Sequence, residues 1–357
     1  MISLSKPAIG DAEREAVLRV LDSGMLAQGP EVAAFEAEFA TAVDGRRCIA
    51  VNAGTSALHV ALAALGIGPG DEVIVPSFTF AATANSVRIV GAEPVFVDID
   101  PANFCLSPAA IEAAISDRTR AIMPVHLYGH PADMTAISAI AERHNLKVIE
   151  DAAQAHLASW NGVPVGAWGD AAAFSFYPTK NMMSGEGGMI VVHDPEVERT
   201  CRLLRNQGME RRYANEIVGY NLRMTDLHAA IGRAQFGQLC EWTVARQGNA
   251  AHLSANLRGV ITPPVAAEAN HVYHQYTVRV EGGHRDEFAT ALEARGVGCG
   301  VYYPTPVHQL PSFNVEIDLP ATERAAAECL SLPVHPALTD GELDAIVTAV
   351  NEVAERG

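Results

Sequence analysis

The chain has 357 residues, 49% of them hydrophobic, and a formal net charge of −17. That length exceeds what one core usually carries, so two domains are expected, and the apolar content excludes a disordered chain. The acid excess argues against a nucleic-acid partner, whose binding face should be basic. No apolar run reaches membrane-spanning length, and no basic leader followed by an apolar block opens the chain, so a cytoplasmic protein is expected. The six cysteines are dispersed, with no CxxC pair and no Cys/His cluster at zinc spacing. They are expected to be buried and reduced, with no metal site.

In chain order, residues 11–24 and 30–44 read as two helices, the first closed by Gly24 and the second opened by Pro30. Residues 48–51 read as a strand, 55–65 as a helix and 72–75 as a strand. The alternation continues with a helix over 79–91, a strand over 94–100, a helix over 107–116, a strand over 120–129, a helix over 133–145 and a strand over 147–151. Strands alternating with helices of this length imply a large α/β domain with a mostly parallel central sheet covered on both faces. In such sheets ligands sit beyond the carboxyl ends of the strands. After a strand over 188–194 and a helix over 195–208, residues 219–239 read as a loop feeding a long helix. The pattern then changes: a helix to Arg258, strands over 274–280 and 298–303 separated by a helix over 284–296, a proline-rich segment, and two closing helices. A large domain over 1–239 and a smaller C-terminal α+β domain over 240–357 are therefore expected. No internal repeat is present.

Chemistry-bearing residues collect at the strand ends. Residues 174–190, FSFYPTKNMMSGEGGMI, run from an apolar strand into a loop with one lysine, Lys180, and then Gly185, Gly187 and Gly188. The chain has only two other lysines, Lys6 and Lys147. A lysine between an apolar strand and a glycine-rich loop is either solvated or partly desolvated, and desolvation makes it a better amine nucleophile. In VIEDAAQAH, Asp151 follows an apolar strand, with Gln154 and His156 beyond it. It reads either as a strand-end cap or as an anion held against a cationic ring nitrogen. In NAGTSALHVAL, Gly54, Thr55 and Ser56 open a helix after a strand, either as a simple cap or as a seat for phosphate on the helix N-terminus. Neither GxxxxGK[ST] nor GxGxxG after a strand is present, which removes the usual ATP and NAD signatures. Phe80, at another strand end, is either core or a plate against a planar ligand. Together these four signals describe a planar, phosphorylated ligand whose ring nitrogen wants a carboxylate and whose aldehyde wants a lysine: pyridoxal 5′-phosphate.

Along essentially its full length the chain resembles the fold-type I, pyridoxal phosphate-dependent sugar aminotransferases of the DegT/StrS type. The resemblance is carried by NAGTSAL, GPGDEVIVPSFTFAATANSV, MPVHLYG, VIEDAAQAH, SFYPTKN with GEGG, LLRNQGM and GYNLRMTDLHAAIG. It implies that Lys180 holds the cofactor covalently and shuttles the proton, that Asp151 pairs with the pyridinium nitrogen, and that Gln154 hydrogen-bonds the ring's phenolic oxygen. Thr55, Ser175 and the 54–56 backbone would hold the phosphate, with Phe80 on the ring face. Asn221 would reach the phosphate of a neighbouring subunit's cofactor, which implies a homodimer; on residues alone Asn221 reads as a turn residue before a helix.

The implied reaction is amino transfer from an amino acid, with glutamate as the expected donor, to a nucleotide-diphosphate-linked keto-sugar by ping-pong kinetics. The segment 301–313, VYYPTPVHQLPSF, leans toward relatives that aminate 3-keto sugars. It makes Tyr302 and His308 expected contacts to the sugar or its diphosphate. Arg211, Arg212 and Arg223 could offset diphosphate charge. Many relatives carry Trp near Met25 and His where Tyr177 stands, departures that bear on the acceptor and not on the cofactor. Some relatives replace the lysine by His and become dehydratases; Lys180 argues against that here. Amination of a cyclitol ketone with glutamine as donor, and a non-catalytic cofactor-binding regulator, are the alternatives.

Overall fold

The computed structural model describes residues 1–355. Seven strands form one central sheet: β1 (Arg47–Val51), β2 (Glu72–Pro76), β3 (Glu93–Val97), β4 (Thr119–Ile122), β5 (Lys147–Asp151), β6 (Ala171–Ser175) and β7 (Gly188–Val192). Their order across the sheet is β1-β7-β6-β5-β4-β2-β3. Strands β6, β5, β4, β2 and β3 run parallel, and only β7 is reversed, pairing antiparallel with both β1 and β6. The sheet is mostly parallel, as the alternation of strands and helices required. Every residue of β2 and β7 is buried, the composition expected where helices cover both faces.

The covering helices are α1 (Asp11–Ser23), α2 (Pro30–Ala40), α3 (Gly54–Ala64), α4 (Ala82–Ile89), α5 (Pro108–Ala114), α6 (Met134–His144), α7 (Pro195–Arg205) and α8 (Asp226–Phe236). On one face Phe39 of α2 packs edge-on against Phe174 and Phe176, and Phe35 packs at a tilt on Phe176. The start of α2 has Gly29 at its cap position, which offers no side chain. Asp226 supplies the missing acceptor from far along the chain: Oδ1 accepts the N–H groups of Gly29 at 2.7 Å and Val32 at 3.1 Å. The MTD stretch thus ties α2 to α8, a capping role of the kind that stabilises by about 1 kcal/mol.

Helix α9 (Leu239–Asn256) joins two cores. Its first residue, Leu239, packs in the aromatic cluster, whereas Ala250 and Leu253 pack in a second core. That second core is built on an antiparallel pair, β8 (Tyr276–Arg279) with β9 (Cys329–Leu332), and on α10 (Arg285–Glu293) and α12 (Asp340–Ala354). Helix α11 (Pro320–Glu328) leads into β9. The N-terminal segment reaches this core as well: Ile2 bridges Val297 and packs against it.

Four expectations are corrected. Residues 298–303 form no strand beyond a single bridge from Gly300 to Ser331, because glycines at 298 and 300 and Pro304 leave too little side chain and too few donors for a ladder. A strand, β9, stands just before the last helix, where only helices were expected. The strand predicted over 120–129 stops at Ile122, two residues before Pro124, which cannot donate to a ladder. Of the cysteines, Cys48, Cys105, Cys201 and Cys329 are buried, but Cys240 is exposed and Cys299 half-buried. Among the described residues no helix is long and apolar enough to cross a membrane, and no group of three or more His, Cys, Asp or Glu is placed to hold a metal ion.

Candidate active site

The carboxyl ends of β1, β2, β5 and β6 open onto one cavity of about 520 Å³. At the end of β1 the chain turns through Asn52 and Ala53 into α3, whose cap residue, Ala53, gives no side-chain acceptor. The first N–H groups of α3 therefore face the cavity without a cap, and Gly54 and Thr55 line it. Such an end is a ready anion seat, since donors and helix dipole favour negative charge. The seat is closely fitted: a Cβ on Gly54 would lie 2.7 Å from Ser175 Cβ, and one on Gly188 would lie 2.4 Å from the Ala53 carbonyl oxygen. Ser56 turns aside, its Oγ donating to Asn52 Oδ1 at 2.7 Å.

Asp151 ends β5 and is 6% exposed. Burial pushes its carboxyl above the usual range. Thr83 Oγ1, donating to Oδ2 at 2.8 Å, and the Ala153 N–H, donating to Oδ1 at 3.2 Å, pull it back, as does the charge of Lys180. The ring of His126 is fixed behind it: Nδ1 accepts the Ala132 N–H at 3.0 Å, so Nε2 is the nitrogen that donates to Glu150 at 3.1 Å. Glu150 in turn accepts the N–H groups of Gly166, Trp168 and Gly169. Asp151 thus has fewer partners than its buried neighbour Glu150, and a cation brought into the cavity would supply the missing one.

Lys180 lies in the loop between β6 and β7, its N–H donating to the Tyr177 carbonyl at 2.9 Å. The next residue locks the loop: Asn181 Nδ2 donates to the Val272 carbonyl at 3.0 Å, and Asn181 Oδ1 lies 3.3 Å from His274 Nδ1. Burial pushes the Lys180 amine down from 10.5 to about 8, with the Asp151 charge opposing the fall. An amine in that range is both a nucleophile and a proton carrier near neutral pH. Burial also holds His156 and His274 neutral, with Lys180 the next cause for each. His156 stacks obliquely on Phe174 and Phe176.

Gln154 Oε1 accepts the Tyr128 N–H at 2.7 Å, which leaves Nε2 to donate to Tyr303 Oη at 3.1 Å. Phe80, 59% exposed, stands at the rim with its ring 6.0 Å from that of Tyr303. Tyr177, Tyr302, Glu186, His274 and Gln275 also line the wall.

Of the residues expected from sequence, Gly54, Thr55, Phe80, Asp151, Gln154, Ser175, Lys180 and Tyr302 line this cavity. Ser56, Asn221, Arg212, Arg223 and His308 do not. His308 is 1% exposed, with Nδ1 2.7 Å from Ser77 Oγ, and packs near Phe96; burial removes it from the cavity wall. Arg212 lies over the Tyr213 ring at 4.9 Å. Arg223 Nη1 donates to Asn206 Oδ1 at 2.8 Å, and Asn221 bridges Asn206. The sequence reading missed Thr83, His274 and Tyr303. Thr83 sits one turn beyond Thr79, and its spacing carried a weak signal; Tyr303 adjoins Tyr302, and only the fold separates their roles.

These residues fit pyridoxal phosphate on three counts: a lysine amine, a buried carboxylate short of partners, and an uncapped helix end where added Cβ atoms would collide. Comparisons with known proteins agree. A Streptomyces venezuelae protein named dTDP-3-amino-3,4,6-trideoxy-alpha-D-glucose transaminase is 45% identical over 96% of this chain and 92% of its own length. An Acidithiobacillus ferrooxidans protein named UDP-N-acetyl-3-dehydro-alpha-D-glucosamine 3-aminotransferase is 44% identical over 93% of this chain and 91% of its own. A Geobacillus stearothermophilus protein of equal similarity, 44% over 94% of each chain, is named a pleiotropic regulatory protein.

Among solved structures, S. venezuelae DesV, in complex with a ketimine intermediate, superposes with a TM-score of 0.93 at 44% identity, covering 97% of this chain and 95% of DesV. NtdA from Bacillus subtilis, with bound cofactor PMP, gives 0.90 at 34% identity, covering 97% and 83%. The profile of the DegT/DnrJ/EryC1/StrS aminotransferase family matches residues 7–351. The chain belongs to that family and is a pyridoxal phosphate-dependent aminotransferase.

Proposed function

We propose that this aminotransferase moves an amino group from an amino acid, L-glutamate by our reading, to a nucleotide-diphosphate-linked keto-sugar, with a 3-keto acceptor favoured. The observation that carries the proposal is the shared cavity of Lys180, Asp151 and the open end of α3, in a chain whose relatives are named for amino transfer to dTDP- and UDP-linked sugars.

Bound there, the cofactor supplies an electron sink for the carbon that loses its proton. The chain's own residues do the rest. The N–H groups at the start of α3, with Thr55 and Ser175, hold the phosphate. Asp151, kept in place by Thr83 and Ala153, would hold the ring nitrogen and favour its protonated form. Gln154 and Tyr303 form a hydrogen-bonded pair that would hold the polar edge of the ring. Lys180 Nζ would hold the cofactor at its aldehyde and, with its amine lowered to about 8, would carry a proton close to neutral pH. Tyr177, Tyr302 and Phe80 shape the rim where the acceptor enters.

Asn221 and Arg223 do not line this cavity, which fits their service to a second copy's site in a homodimer. Mixing Lys180→Ala with Asn221→Ala subunits tests this: partial recovery of turnover supports it, and none counts against it. The substrate assignment is tested by mass detection of the amino product from UDP-, dTDP- and GDP-linked keto-sugars and scyllo-inosose, each with glutamate or glutamine. Product from scyllo-inosose alone would move the reading to a cyclitol ketone. The regulatory name of one relative points to a second reading, a cofactor-binding regulator; a coloured protein that deaminates no amino acid would favour it.

A further inference from the structure

Lysine is rare in this chain, yet two of its three lysines meet at one small cleft. The cleft, of about 20 Å³, is lined by Lys6, Thr179, Lys180, Asn181, Trp242 and Arg246 among others, and none of its lining residues is Asp or Glu. Lys180 and Thr179 also line the main cavity, so the lysine stands in the wall between the two.

Arg246 is 7% exposed. Its Nη1 donates to the carbonyl oxygens of Tyr273 at 3.2 Å and His274 at 3.5 Å, and its Nε has no partner among the described residues. Burial alone pulls the guanidinium down to about 10, with no carboxylate charge acting on it. Buried arginines ordinarily pair with an acid, because an uncompensated charge in a low-dielectric interior is costly.

The carboxylates nearby stand outside the cleft. Asp151 lines the main cavity, where its charge acts on Lys180. Glu13, behind Gln235, accepts Gln235 Nε2 at 2.5 Å on Oε1 and the Gly10 N–H at 2.7 Å on Oε2. Glu342 caps the last helix through Thr339. His335, beside the cleft, is kept neutral by burial and then by Arg246, with Lys6 adding to it.

We propose that this cleft is a binding site for one small inorganic anion of halide size, held by Arg246 and Lys6 and facing Lys180 from the side opposite the cofactor. Three cationic groups converge on it in a protein whose net charge is −17, and no side chain of the lining supplies the counter-charge. Its volume suffices for about one water-sized particle, which excludes an amino-acid substrate or a sugar phosphate. An anion there would stabilise the charged form of whatever nitrogen position 180 carries, and its release would do the reverse.

Two measurements on the holoenzyme test this. Crystals soaked in bromide should give an anomalous peak in the cleft beside the Arg246 guanidinium. In solution, the pH midpoint of the visible band should lie higher in chloride than in gluconate at equal ionic strength, by about one pH unit. Lys6→Ala, an exposed position whose loss leaves the core intact, should narrow that difference. Absence of the bromide peak, or coincident titrations in the two salts, overturns the proposal.

Discussion

Replacing Lys180 by Met in cofactor-free protein removes a titratable amine while keeping most of the side chain's length and apolar stem. The native amine is pushed down from 10.5 to about 8, so below pH 8 the folded state holds an ammonium in surroundings that disfavour it. The unfolded chain keeps that proton up to its ordinary value. Between the two values the unfolded state binds more protons, and stability from this group rises with pH; below about 8 the full cost is present. At about 1.4 kcal/mol per pH unit, the cost at pH 7 is about 3 kcal/mol. Lys180→Met should therefore be more stable than the native sequence at pH 7 by up to that amount. The gap should close as pH rises from about 8 toward 10.5. Denaturant unfolding of both proteins from pH 6 to 10 measures it. A variant no more stable at pH 7, or an advantage that grows with pH, would refute the claim that the lysine sits in a desolvated place.

Thr83→Val removes the hydroxyl that donates to Asp151. A hydrogen bond to a charged group contributes about 1.5–3 kcal/mol, so pyridoxal phosphate should bind about 10- to 100-fold more weakly; an unchanged Kd by fluorescence quenching would remove Thr83 from the site. Gly54→Ala places a Cβ against Ser175 and should weaken pyridoxal phosphate far more than pyridoxal, as equilibrium dialysis of both would show; equal losses would place the phosphate elsewhere. Tyr303→Phe deprives Gln154 Nε2 of its acceptor and should lower kcat/KM about fivefold with the fold intact, since one neutral hydrogen bond contributes about 1 kcal/mol. Wild-type kcat/KM would make Tyr303 wall packing only.

The sheet and the cofactor cavity were legible because each strand end carried its own chemistry: Gly54 after β1, Phe80 after β2, Asp151 at β5, Ser175 and Lys180 after β6. Period and turn residues fixed where those strands stop, and a parallel sheet brings such ends together whatever the loop details. The acceptor side was not legible in the same way. His308 stands in a proline-rich segment with no periodicity, and its burial beside Ser77 and Phe96 depends on packing between segments more than 200 residues apart in sequence. Thr83 supports Asp151 from 68 residues away, and its place one turn beyond Thr79 is only a weak local mark. Strand β9 was hidden because a short apolar run, CLSL, between two helical stretches reads equally well as helix.

The central claim is that the cofactor is attached at position 180. Holoenzyme reduced with borohydride, digested and mapped by mass spectrometry should carry a phosphopyridoxyl mass on the peptide containing Lys180, with Lys6 and Lys147 unmodified. The added mass on either of those lysines instead, or on none of the three, would contradict the account.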